Sequence, residues 1–249
     1  LRLTNPNPNG KVYILAMGAN TDGLTRADDD ANHFGRTMSE LFGNKFKPQI
    51  VPDTKRARFE SEMGNLARKV RPNDVVIIYF SGHGRKLRKS RVEADGWDEA
   101  FQLLDGTISD KKFNVMLRKI RSKNVLVLLD ACFAFGLYKN SSDAYGRLIK
   151  ASSNSLGGEI HNENQSTSIS RNKLVIVAAS GENSAAREDP RSGGVFTTRI
   201  TKALQNNSNA GKKLLTILNT TLSLNPQYAS NPRFKAYRGS TLGQIILKR

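Results

Sequence analysis

The chain has 249 residues, and its 39 lysines and arginines against 22 aspartates and glutamates give a formal net charge of +17 at pH 7. This length is enough for one α/β domain with a single core, and the apolar runs are too short to span a membrane. A single cysteine excludes an internal disulfide and, with only three histidines, a zinc-finger site.

The N-terminal residues 1–10 are rich in turn formers, and we interpret them as a linker before a single domain over residues 11–249. We interpret the chain as part of a longer one, so that any targeting sequence upstream of Leu1 is not visible. The lone cysteine needs no oxidising compartment, which slightly favours the cytoplasm but leaves the localisation open.

From residue 11 onward, short apolar runs alternate with segments of helical period. Strands are predicted at residues 11–17, 46–51, 74–80, 124–130, 173–180 and 241–247. Helices are predicted at residues 27–42, 54–70, 109–120, 194–204 and 214–222, with Ser109 as the cap of the third. A charged, hairpin-like insertion is predicted within residues 83–104. This alternation indicates an α/β fold with a parallel sheet.

Residues 140–172 interrupt the pattern, because they are rich in Ser, Asn and Gly and have no sustained apolar period. A loop of this length inside a compact domain is usually functional or disordered. We therefore predict a flexible polar loop between two parts of the domain, residues 11–139 and 173–249.

Two of the predicted strands lead to residues that can carry out nucleophilic chemistry. His83 follows the strand at 74–80, and Cys132 follows the strand at 124–130. Because the carboxyl ends of parallel strands meet at one edge of a sheet, a thiol and an imidazole would face each other there. A thiol needs such a base to become a thiolate. His33 and His161 are expected at the surface.

This spacing predicts a cysteine hydrolase with Cys132 as nucleophile and His83 as general base. The glycines beside His83 allow a sharp turn, so the amides of Gly84 and Cys132 are the predicted oxyanion donors. The alternative is that Cys132 is a small core residue and His83 an ordinary hydrogen-bonding residue.

Together, the segments Tyr79-Phe80-Ser81-Gly82-His83-Gly84 and Leu129-Asp130-Ala131-Cys132-Phe133 resemble the paired signature of the caspase superfamily. The Asp before Ala-Cys is similar to metacaspases and bacterial caspase-like peptidases rather than to animal caspases. The likeness extends from Lys11 through Val195-Phe196-Thr197. It implies a caspase-like three-layer sandwich, with a mostly parallel central sheet of about six strands and helices on both faces. Residues 11–139 then correspond to a large subunit and residues 173–249 to a small one.

The resemblance also implies how the substrate is selected. A carboxylate at Asp130, two residues before the nucleophile, would pair with a Lys or Arg side chain at P1. By similarity to metacaspases, Asp30 supplies a second carboxylate and Ser81 a hydroxyl of the pocket wall. Two desolvated carboxylates reject an acidic or apolar P1, which would leave them unpaired. The alternatives are a helix-dipole role for Asp30 and a turn role for Asp130.

Two further expectations follow from the family. Relatives are often cut between the nucleophile and the next strand, and a basic-specific enzyme would find Arg147 and Lys150 there. Calcium-dependent members bind the ion with acidic residues outside the crevice, and Asp98 and Asp110 fall near two of those places. Ser109 and Lys139 stand where further carboxylates would be needed, so we expect no cofactor and no firm calcium requirement.

The sequence thus predicts a cysteine endopeptidase that cleaves peptides or proteins after Arg or Lys through a thioester acyl-enzyme. Two alternatives remain open: a non-catalytic caspase-like interaction module and a polyanion-binding basic domain. The intact Cys–His pair argues against the first. The basic residues are scattered and aromatic residues make up only 7% of the chain, so we expect no dedicated nucleic-acid recognition.

Overall fold

A central sheet with helices on both faces organises the computed structural model, which describes residues 1–88, 97–131, 147–149, 174–179, 188–189, 191–223 and 240–249. The strands are, in chain order, β1 (Arg2–Leu3), β2 (Val12–Ala19), β3 (Gln49–Val51), β4 (Val75–Gly82), β5 (Gly84–Arg88), β6 (Trp97–Leu103), β7 (Gly106–Ser109), β8 (Asn124–Ala131), β9 (Arg147–Ile149), β10 (Leu174–Ala178), β11 (Glu188–Asp189), β12 (Gly193–Gly194) and β13 (Leu247–Lys248). The helices are α1 (Ala27–Leu41), α2 (Arg56–Lys69), α3 (Asp110–Arg118), α4 (Val195–Gln205) and α5 (Leu214–Ser223).

The central sheet has six strands in the order β3-β2-β4-β8-β10-β9, and each neighbouring pair is parallel. Every residue of β4 and β8 is buried, which explains why both strands are continuous apolar runs rather than alternating ones. Because all six strands run in the same direction, their carboxyl ends share one edge of the sheet.

Side chains of the central strands alternate between two cores. Ile14 and Ala16 of β2 face a core that also holds side chains of α1, α4 and α5. Leu15 and Met17 face a second core, built from side chains of α2, α3 and the β6 hairpin. The predicted three-layer sandwich, with helices on both faces of a parallel sheet, is thereby confirmed.

The predicted insertion after His83 is an antiparallel sheet of β5, β6 and β7. Phe101 of β6 anchors it to the second core, with its ring centroid 4.8 Å from that of Phe80. Ser109 caps α3 as predicted, because its side chain accepts a hydrogen bond from the Lys112 N–H at 3.3 Å.

The N-terminal residues differ from the predicted linker. Leu3 is buried, β1 pairs antiparallel with β13, and the Thr4 N–H donates to the Ile246 carbonyl at 2.9 Å. The turn formers do make local turns, as where the Gly10 N–H donates to the Asn7 carbonyl at 2.8 Å. This segment is therefore part of the domain.

The C-terminal segment also departs from prediction. Instead of one edge strand over 241–247, it contains a 3₁₀ turn at Leu242–Gln244, followed by the short β13. Asn124 at the start of β8 accepts a hydrogen bond from the Thr241 N–H at 2.7 Å, which holds the chain in the turn.

Part of the predicted polar loop is a strand, because β9 lies at the sheet edge beside β10. The apolar pair at 148–149 suits a strand, although it is too short to show a period. The other residues of 140–172 lie outside the described part of the chain. Among the described helices, none combines the length and apolarity needed to cross a bilayer.

Candidate active site

The carboxyl ends of β4 and β8 lie side by side. Their register pairs Ser81 with Asp130 and then Gly82 with Ala131. His83 follows Gly82 in the chain, and Cys132 follows Ala131. Cys132 itself lies outside the described residues, so the predicted sulfur–imidazole contact stays a prediction.

His83 is partly buried, and its Nε2 atom is buried without a hydrogen-bond partner among the described residues. Asp22, Arg85 and Gln102 form a polar cluster beside it, in which both Arg85 and Gln102 donate to the Asp22 carboxylate. The hydrogen bond from Gln102, together with Arg85 and the nearby His83, lowers the pKa of Asp22. His33, by contrast, is exposed as predicted, with Nε2 3.1 Å from Thr201 Oγ1, and His161 lies outside the described residues.

The β5–β6 hairpin determines the direction in which the Gly84 N–H points. The Gln102 N–H donates to the His83 carbonyl at 2.9 Å, while the next pair in register is Gly84 with Phe101. Hydrogen-bonded and non-hydrogen-bonded pairs alternate along an antiparallel ladder. The Gly84 N–H therefore points away from β6, which leaves it outside the ladder as an oxyanion donor requires. The second predicted donor, the amide of Cys132, lies outside the described residues.

Asp30 and Asp130 are brought together, although they lie on different elements. Each residue is only 5% exposed. Asp30, in the first turn of α1, accepts hydrogen bonds from Ser81 Oγ at 3.2 Å and from the Gly194 N–H at 2.9 Å. Asp130, at the end of β8, accepts from the N–H of Thr197 at 3.2 Å and from its hydroxyl at 2.6 Å.

Gly194 marks the point where the two carboxylates converge. A Cβ atom on this residue would overlap Asp130 Oδ2 and would lie 3.0 Å from Asp30 Oδ2. A Cβ on Gly193, whose φ is +81°, would overlap Asp30 Oδ1. Glycine is therefore needed at both positions for the backbone of β12 to pass this close to the two carboxylates.

A chain of hydroxyl groups extends from Asp130 into the core. Thr197 has one hydroxyl proton and donates it to Asp130, so the buried hydroxyl of Tyr79 is the donor to Thr197. Burial, and then the negative charges of Asp130 and Asp30, hold the pKa of Tyr79 well above its ordinary value. Tyr79 therefore stays protonated and can act as a donor.

Sequence reasoning did not assign roles to Gly193, Gly194, Thr197 or Tyr79. Thr197 and Tyr79 both lie in segments that carry the family resemblance, so the sequence did mark them as candidates for a role in the site. Their role depends on the contact between the start of α4 and the end of β8. Thr197 and Asp130, which meet there, are 67 residues apart in the sequence.

A second acidic pair lies near the start of α1, outside this site. Asp28 accepts hydrogen bonds from the Asn20 side chain at 3.0 Å and from the Asp53 N–H at 2.9 Å. Burial, with a further contribution from the neighbouring Asp53 carboxylate, raises the pKa of Asp28 to about 6.

Of the two candidate calcium ligands, only Asp110 has a described side chain. Asp110 is buried at the start of α3, where it accepts a hydrogen bond from the Lys111 N–H at 2.6 Å. Asp98 lies in β6, and its side chain is outside the description. Among the described residues, no three His, Cys, Asp or Glu side chains are close enough to hold an ion. The calcium expectation stays a prediction.

The two cleavage candidates are placed differently. Arg147 lies in β9, paired with Val175 of β10, and so is not in the flexible loop that was predicted for it. A strand residue must leave the sheet before a peptidase can bind it. Lys150 lies outside the described residues.

Comparison with known proteins agrees with this architecture. The crystal structure of protein GSU0716 from Geobacter sulfurreducens superposes with a TM-score of 0.60, covering 88% of this chain and 90% of that one. At 18% sequence identity, this likeness shows the fold alone. No curated protein matches the chain. The protein-family model of the caspase domain matches residues 10–238, nearly the whole sequence. The chain therefore belongs to the caspase domain family of cysteine peptidases.

Proposed function

We propose that this protein is a cysteine endopeptidase that cleaves peptide bonds after Arg or Lys. The observation that carries the proposal is the register of β4 and β8, which ends both strands level with each other directly before His83 and Cys132. The buried Nε2 of His83, without a partner among the described residues, supports its assignment as the base.

In the proposed reaction, His83 takes the proton of the Cys132 thiol, and the thiolate attacks the carbonyl carbon of the scissile bond. The resulting oxyanion accepts hydrogen bonds from the amides of Gly84 and Cys132. The C–N bond then breaks, and His83 gives the proton to the leaving amine. Water, deprotonated by His83, hydrolyses the thioester and releases the second product and the thiol.

The preference for a basic P1 residue is supported by the paired carboxylates of Asp30 and Asp130. Ser81, Gly194 and Thr197 donate hydrogen bonds to these carboxylates through neutral hydroxyl and N–H groups. Burial strengthens the attraction between a carboxylate and a guanidinium or ammonium group. An aspartate at P1 would instead place a third negative charge at the same point.

Self-cleavage within residues 140–172 is part of the proposal. Because Arg147 is held in β9, we favour Lys150, the residue directly after that strand, as the first cleavage site. Mass analysis of the wild type beside a Cys132→Ala variant tests this. Identical fragments from both proteins would refute self-cleavage.

The central test is a panel of fluorogenic peptides with Arg, Lys, Asp and Leu at P1, assayed with calcium and with a chelator. Wild-type protein should cleave only the Arg and Lys peptides, and Cys132→Ala and His83→Ala should be inactive. Asp130→Asn should lower kcat/KM for the Arg peptide by about 100-fold, because a buried charge pair is broken.

Glu62→Gln provides a matched control, since Glu62 is another buried carboxylate but lies in α2 and pairs with Arg58. It should leave the P1 profile unchanged. Cleavage of Leu and Arg peptides at equal rates would refute the acidic pocket. No cleavage of any peptide, with wild type and Cys132→Ala alike, would favour a non-catalytic module instead.

A further inference from the structure

A second charged feature lies at the opposite edge of the sheet, where the central strands begin. Eight exposed cations surround this edge, and we call them the basal cluster: Lys11, Arg68, Lys69, Arg71, Arg118, Lys119, Arg121 and Lys123. They come from the residue before β2, from the end of α2 and its following loop, and from the end of α3 and its following loop.

Hydrogen bonds hold these three segments together. The Lys123 N–H donates to the Pro72 carbonyl at 3.0 Å, which joins the loop after α3 to the loop after α2. The N–H groups of Lys11 and Arg71 donate to the two oxygens of Asp74 at 2.8 and 2.7 Å. The segments that carry the cations are therefore held next to one another at this end of the sheet.

Asp74 is the only acidic residue in residues 9–13, 66–74 and 118–124. This residue is 3% exposed, and both of its carboxylate oxygens accept backbone hydrogen bonds. Cations in the last turn of a helix stabilise its dipole, which accounts for Arg68, Lys69 and Arg118. Lys119, the C-cap of α3, has the same effect. Lys11, Arg71, Arg121 and Lys123 lie outside the two helices and their caps, so helix stability does not explain them.

We propose that the basal cluster binds the phosphodiester backbone of duplex nucleic acid. Four of its eight cations are arginines, whose planar group suits bidentate contact with phosphate. The starts of β2, β4 and β8 span about 10 Å, a length over which a duplex presents about six phosphate charges.

The same surface disfavours two other ligands. Insertion into a lipid surface needs exposed apolar side chains, and the described large ones are limited to Leu104 and Val115, neither in the cluster. Stacking on single-stranded bases needs exposed aromatic rings, and the nearby Tyr13 is only partly exposed, with its hydroxyl 3.4 Å from the Lys69 carbonyl. The proposed binding is therefore to the phosphodiester backbone and independent of the base sequence, in keeping with the expectation of no dedicated nucleic-acid recognition.

The test uses the full chain with Cys132→Ala, so that its outcome does not depend on peptidase activity. Anisotropy of a labelled DNA duplex of about 25 base pairs, and of the matching RNA duplex, is measured from about 50 to 200 mM salt. Each phosphate contact adds about 0.9 to the slope of log affinity against log salt concentration. The variant Arg71→Glu/Arg121→Glu/Lys123→Glu should lower this slope by about 2.7 and weaken binding more than tenfold.

The matched control reverses three exposed cations at the other ends of α2 and α3, Lys55→Glu/Arg56→Glu/Lys111→Glu, with the same change in net charge. It should retain binding within about threefold. Equal losses in both variants would show that diffuse charge, not the cluster, binds the duplex and would overturn the proposal. So would an absence of duplex binding at low salt, or binding only to phosphatidylserine vesicles.

Discussion

The hydroxyl group of Thr197 should hold Asp130 in place, and the change Thr197→Val tests this with almost no change in side-chain shape. Three donors meet here in the structure: the Thr197 hydroxyl and N–H, both on Asp130 Oδ2, and the Tyr79 hydroxyl on Thr197. Valine removes the Thr197 hydroxyl, which is both the donor to Asp130 and the acceptor for Tyr79. The backbone N–H of residue 197 still donates to Asp130.

The expected cost follows from these contacts. A hydrogen bond to a charged group contributes about 1.5–3 kcal/mol, and the Thr197–Asp130 bond is short at 2.6 Å. The hydroxyl of Tyr79, a residue that is 0% exposed, would also lose Thr197 as an acceptor, although Ser81 remains beside it, and this loss costs at most about 1–3 kcal/mol. Allowing for partial relaxation, we expect the free energy of unfolding to fall by about 2–4 kcal/mol. A domain of ordinary stability remains folded after such a loss.

Urea denaturation gives the free energy of unfolding, and the fluorogenic Arg peptide gives kcat and KM. Thr197→Val should also raise KM for this peptide about tenfold, because Asp130 is no longer held against the incoming cation. Thr197→Ser keeps the hydroxyl and should lie close to the wild type. Thr201→Val is a second control, since this buried hydroxyl on the same helix donates to the Thr197 carbonyl at 2.9 Å rather than to Asp130. Equal losses in the Val and Ser variants would attribute the effect to packing and refute the role of the hydroxyl.

Two other changes test the acidic groups around α1. Gly194→Ala should abolish cleavage of Arg peptides and lower stability, because its Cβ would overlap Asp130; activity and a denaturation midpoint equal to wild type would contradict the close approach. The pKa of Asp28, raised to about 6, means that its contribution to stability is fully present below about pH 4 and is lost as the pH rises through 6. Asp53→Asn removes the neighbouring charge and suits the positive φ of 47° at this position, so it should stabilise the protein at pH 7.5 by less than about 1 kcal/mol and leave it unchanged at pH 4. Urea denaturation at both pH values measures this, and a gain at pH 4 alone would show the opposite linkage.

The central strands could be predicted because burial on both faces makes them continuous apolar runs, as in β4 and β8. The level ends of these strands, and with them the positions of Ser81 and Asp130, follow from the same pattern once the strands are neighbours. The pairing of β1 with β13 could not be predicted, since two-residue strands have no periodicity and their partners are at opposite ends of the chain. Thr197 and Gly194 were also missed, because their contacts with Asp130 and Asp30 depend on tertiary packing.

The two proposals require different responses to salt, and this separates them. A net charge of +17 repels a basic peptide at long range, so the attraction of the buried Asp30–Asp130 pair must act at close range. Added salt screens the long-range repulsion over a Debye length of about 8–10 Å but affects the buried pair much less. For Arg peptides, kcat/KM should therefore rise or stay level between about 50 and 200 mM salt, while duplex binding at the basal cluster falls steeply. A different result would contradict this. If kcat/KM and duplex affinity both fell with added salt, and the variant Arg71→Glu/Arg121→Glu/Lys123→Glu lost both to the same extent, the substrate would be held by surface charge rather than by the two buried carboxylates.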